Sequence, residues 1–166
     1  MIVGTLAHGA RPAYLSLMYS FVLAAHNILR WLVLLTGVIA LVNSYRGLFT
    51  GAAWTPRDSK MLAAYGGTFG VQFLLGLLLY VWLSPLTRTG FGDMGAAMRD
   101  PALRLFVIEH PLAMLIALVL ANVAQARTRK AATDAARWRI AAILLTVSLL
   151  LVLARTPWMR PLFPAF

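Results

Sequence analysis

The stretch Tyr14–Val42, YLSLMYSFVLAAHNILRWLVLLTGVIALV, decides the fold class. It is apolar almost throughout, and its only basic side chains are His26 and Arg30. A hydrocarbon layer about 30 Å thick is crossed by roughly 20 such residues in a helix. The run continues well past Ala24 and Ala25, too far for a cleaved signal peptide, so it reads as a retained span. Met18 offers an alternative start whose use would remove His8 and leave the span argument intact. Three further apolar runs follow, at about 61–83, 102–126 and 140–158, the last completed by Trp138 and Trp158 as interfacial anchors. The expectation is an all-α integral membrane protein: one transmembrane domain over residues 1–166, folded as a four-helix up-down bundle.

Composition agrees, since 61% of the 166 residues are apolar and only 12% are charged. With a formal net charge of +10, a soluble chain would be read as binding nucleic acid. Here the basic residues lie mainly in short segments between apolar runs, where lipid headgroups and topology account for them, so no nucleic-acid partner is expected. The chain has no cysteine, which removes disulfides, iron–sulfur clusters, thiolate metal sites and covalent haem attachment. The connection 43–60 carries Arg46, Gly47, Gly51, Pro56 and Arg57 and reads as a turn. The connection 84–101 reads as the longest loop, with a short interfacial helix at 94–98. Its glycines, Gly90 to Gly95, lack a following Lys-Ser/Thr and make no phosphate loop.

Eight Lys and Arg residues lie in the two connections on one side (Arg46, Arg57, Lys60, Arg127, Arg129, Lys130, Arg137 and Arg139). Six lie on the other: Arg11, Arg88, Arg99, Arg104, Arg155 and Arg160. The positive-inside bias places both termini outside a bacterial inner membrane.

Two histidines lie within predicted spans, His26 in the first and His110 in the third. In an up-down bundle the first and third helices are parallel diagonal neighbours, and both residues sit several positions below the same end. Ionisable groups inside a bilayer are costly and tend to mark function. Two imidazoles on diagonal helices are suited to hold a planar macrocycle between them as axial ligands. The bland alternative is that each imidazole merely hydrogen-bonds a neighbouring helix. Pro111 follows His110 and deprives the Val107 carbonyl of its usual partner, so a local irregularity is expected there. Gly76 lies at similar depth and would admit a ring edge, while Gly66 and Gly70 form a small-xxx-small pair suited to helix packing.

Arg30 lies one turn from His26 and leans back toward its depth. Its candidate counter-ions are Glu109 and a cofactor carboxylate. Gln72 suits an interhelical hydrogen bond, with Arg30 or a quinone carbonyl as other partners. The methionines are scattered and form no copper-type cluster, and the tryptophans fall mostly near span ends, as belt residues do.

With His26-Asn27-Ile28-Leu29-Arg30-Trp31 and Glu109-His110-Pro111, the chain resembles small bacterial four-helix membrane cytochromes b. The resemblance implies one bis-histidine haem b, with His26 and His110 as iron ligands and Arg30 beside them. It further implies electron transfer between a quinol pool and an outer-side redox partner protein, rather than stand-alone enzymatic catalysis. Many such cytochromes hold two haems with four histidines, whereas this chain has two in its membrane runs. Two other functions compete: a haem-free structural or assembly subunit of a larger membrane complex, and a small transporter using Arg30, Gln72 and Glu109.

Overall fold

The computed structural model describes residues 12–158. His8, Arg11, Met159 and Arg160 lie outside the described residues. Among the described residues seven α-helices are formed: α1 (Ala13–Thr50), α2 (Pro56–Leu78), α3 (Pro85–Gly92), α4 (Met94–Arg99), α5 (Pro101–Arg104), α6 (His110–Lys130) and α7 (Asp134–Arg155). Two π-helical turns, Leu79–Leu83 and Leu105–Glu109, continue α2 and join α5 to α6. Four segments are therefore long and apolar enough to cross a membrane: Ala13–Thr50, Pro56–Leu83, Pro101–Lys130 and Asp134–Arg155. The protein is an all-α four-helix bundle. Packing runs α1–α2, α2–α6, α6–α7 and α7–α1, so the first and third spans are diagonal.

Every span starts earlier or ends later than its apolar run, and the fourth also stops at Arg155, short of the expected 158, which corrects the expected boundaries. α1 does not stop near Val42 but continues through 38 residues, about 57 Å at 1.5 Å per residue. Gly47 does not break it. A Cβ at that position would overlap the Trp138 ring, so Gly47 leaves the room that the Trp138 side chain of α7 fills. The terminator is Gly51, the one residue in a left-handed conformation (φ 65°) among those described.

α2 starts at Pro56 rather than near Met61, because Thr55, Pro56 and Asp58 form a helix start. The Asp58 carboxylate accepts from the Thr55 N–H at 2.8 Å and from its hydroxyl at 2.7 Å. The third span ends at Lys130 rather than Ala126. α7 begins at Asp134, with the Thr133 hydroxyl accepting from the Ala136 N–H. Arg137, expected in a loop, lies on that first turn and binds Asp134 at 2.9 Å. In the connection 84–101, Gly90 lies inside α3, where a Cβ would overlap Val107. The helix expected at 94–98 is α4.

The tight core occupies the half of the bundle remote from Ala13 and Arg155. Ala117, Ala121, Ala124 and Ala141 let α6 and α7 approach closely, the small-residue packing typical of membrane helices. Tyr65 and Ser148 share a 2.8 Å hydrogen bond, and the Ser148 hydroxyl reaches the Ala117 carbonyl at 2.8 Å. Gly37 rather than Gly70 is the packing glycine: a Cβ on Gly37 would lie 2.8 Å from Leu149 and Tyr65, whereas one on Gly70 would meet nothing within 4 Å. Trp138 is another correction. It is 1% exposed and donates to the Ala52 carbonyl at 2.7 Å, so it belongs to the interior and not to an interfacial belt. Trp82 and Trp158, at 53% and 42%, do face outward.

Candidate functional site

Toward the other end the bundle opens into a cavity of about 700 Å³, bounded by α1, α2, the third span and the last turn of α7. His26, Arg30, Gln72, Gly76, Tyr80 and His110 stand on its wall among mostly apolar side chains. The volume lies within the range of small-molecule and cofactor pockets, about 300–1,000 Å³.

The proline after His110 lies on the cavity wall, next to an irregular turn. Pro111 has no N–H to give the Val107 carbonyl, and the backbone before it widens into the π turn, where the His110 N–H reaches back to the Leu105 carbonyl. The Val107 carbonyl is satisfied from another helix, by the Tyr80 hydroxyl at 2.9 Å. Tyr80 lies in the other π turn. The two irregular turns therefore support each other across the cavity wall.

The structure brings the two span histidines together. Their ring centroids are 6.5 Å apart, with an interplanar angle of 75°. His110 Nδ1 lies 2.8 Å from the carbonyl oxygen of Arg155, the last residue of α7. A carbonyl can only accept, so the proton sits on Nδ1 and the neutral ring keeps its lone pair on Nε2. His26 packs its Cε1–Nδ1 edge against Gly76, where a Cβ would come within 3.0 Å of Cε1. Its Nδ1 is buried and has no hydrogen-bond partner.

Gln72 makes the interhelical bond expected of it, from Nε2 to the His26 carbonyl at 2.9 Å. That bond fixes the amide, whose Oε1 is left buried without a partner. Arg30 is 7% exposed, with its guanidinium carbon 5.6 Å from the Trp31 ring centroid. Glu109, one candidate counter-ion for Arg30, accepts at Oε1 from Arg104 Nε at 2.8 Å and pairs through Oε2 with Arg155 at 3.5 Å. Neither pairing is legible from sequence, because both cations lie in segments read as span ends. The Arg155 carbonyl could not have been found either, since every residue carries one. Tyr80 had a faint signal: a phenol within an apolar span needs an acceptor, and the carbonyl stranded by Pro111 is one.

Among the described residues no three His, Asp or Glu side chains gather to hold a metal ion by themselves. No protein-family model, curated protein or solved structure matches the chain.

Proposed function

We propose that this multi-pass membrane protein is a b-type cytochrome that binds one haem between His26 and His110 and carries electrons. The reading rests on the two imidazoles of diagonal helices, 6.5 Å apart by centroid on the wall of one cavity. His26 and His110 would each hold the haem iron through a ring nitrogen, and both rings already stand on one cavity wall. Haem would supply the one-electron chemistry.

The chain's residues have defined tasks in this reading. The Arg155 carbonyl fixes the tautomer and orientation of His110, as outer partners of ligating histidines commonly do. The unpartnered Nδ1 of His26 marks a ring held by packing against Gly76 and not by a hydrogen bond. Arg30, on the cavity wall, would neutralise a propionate. The mostly apolar lining would limit water around the bound group. Quinol is the proposed donor and an outer-side protein the proposed acceptor, with both termini outside and the haem nearer that face.

The deciding experiment is the reduced-minus-oxidised absorption spectrum of the detergent-purified protein, with a pyridine haemochrome assay. A b-type signal at about one haem per chain is expected from a single histidine pair. A colourless protein made with ample haem available would sink the reading. It would favour a haem-free structural or assembly subunit, for which the bonds from Gln72 to His26 and from His110 to Arg155 already serve as helix-to-helix ties.

A further inference from the structure

We infer that the opposite end of the bundle carries a binding site for the phosphate of an anionic phospholipid headgroup, between the 51–55 and 131–133 connections. A cleft of about 420 Å³ opens there, with Arg129, Arg137, Ser59, Thr55, Thr128 and Trp54 on its walls. The inference does not depend on haem.

The polar groups of the cleft can be assigned one by one. The Thr55 hydroxyl is committed to Asp58 at 2.7 Å and the Thr128 hydroxyl to the Gln125 carbonyl at 3.1 Å. The Trp54 indole N–H donates to Ser59 Oγ at 2.9 Å, which leaves the Ser59 proton to donate elsewhere. Arg137 gives one nitrogen, Nη1, to Asp134 at 2.9 Å and keeps the rest of its five-donor fork. Arg129 is exposed. No carboxylate lines the cleft. Asp58, 4% exposed, turns instead to Thr55 and Asn43. The cleft therefore offers two guanidinium groups and a hydroxyl proton with no built-in anion to receive them all. That donor set suits a tetrahedral oxyanion. Its wall is rigid, since Trp54 packs on buried Trp138 with centroids 4.4 Å apart.

The position selects lipid as the source of the phosphate. The cleft lies at the end of the bundle where α1 and α6 stop and α2 and α7 start. At that same end Phe49, in the last turn of α1, is 81% exposed, so the cleft end presents apolar as well as basic surface. Eight cations but only two carboxylates, Asp58 and Asp134, lie in and beside the two connections at this end of the bundle. Such a rim concentrates anionic headgroups. The cleft adds a defined place to hold one.

The test uses the full chain reconstituted in phosphatidylcholine vesicles doped with phosphatidylglycerol, then extracted gently for native mass spectrometry. Wild type is expected to retain phosphatidylglycerol, and Arg129→Ala/Arg137→Ala to lose at least about tenfold of it, as two charge-assisted hydrogen bonds imply. Arg127→Ala/Lys130→Ala removes the same charge outside the cleft and should stay within about twofold, the share of a diffuse field. Equal losses in both pairs would overturn the site. Displacement of the lipid by millimolar inorganic phosphate would also overturn it, by making the ligand a soluble anion. If the double variant fails to fold, Arg129→Gln and Ser59→Ala give the same comparison, each with several-fold loss expected.

Discussion

At the residue scale, the site depends on groups whose neighbours are specified one at a time. His26→Ala and His110→Ala should each abolish haem retention while leaving helix content unchanged by circular dichroism, because both rings line a cavity rather than the tight core. His8→Ala should leave the haemochrome signal intact, and its loss there would show that the ligands are misassigned. Tyr80→Phe deletes the donor that covers the Val107 carbonyl. A polar bond between membrane helices is worth about 0.6–2 kcal/mol, so the variant should be destabilised by that order in reversible detergent unfolding. An unchanged unfolding midpoint would mean that the carbonyl finds another donor at no cost.

At the element scale, glycines in similar sequence settings should behave in opposite ways. Gly47→Ala drives a methyl group into the Trp138 ring, and overpacking of that kind costs about 1–3 kcal/mol. Gly70→Ala meets nothing within 4 Å and removes a poor helix former, so it should be neutral or stabilising by up to about 1 kcal/mol. Thermal unfolding of the two variants side by side checks both signs. If Gly70→Ala proves the damaging one, that face of α2 packs against something outside this chain. Element ends were the least legible part of the sequence. Hydropathy reports which residues tolerate hydrocarbon, but a helix continues until its backbone bonds end. Arg46, Arg137 and Lys130 thus sit on helices although their charges read as connection.

At the scale of the whole molecule, an even number of spans puts Ala13 and Arg155 at one end with the cavity, and the dense basic cluster at the other. Reporters fused to either terminus should be active only outside the membrane, as the positive-inside bias implies. Activity of both fusions on the inner side would invert the bundle and place the histidine-lined cavity toward the cytoplasm. The same arrangement separates two tasks. Packing is tight where α6 and α7 meet through alanines, and looser around the cavity, beside Pro111 and the two π turns.

The amino-acid sequence by itself determined the solvent, the number of spans and the two histidines that could meet. Those are properties of single residues and of their spacing along one chain. Tertiary structure decided which groups are partners. Glu109 lies between Arg104 and Arg155, the Arg155 carbonyl orients His110, Tyr80 caps Val107, and Trp138 fills the notch at Gly47. Each is a contact between segments far apart in the chain or across an irregular turn. Periodicity sets which face of a helix is apolar but leaves its axial offset and rotation against its neighbours free, and those two quantities choose the partners.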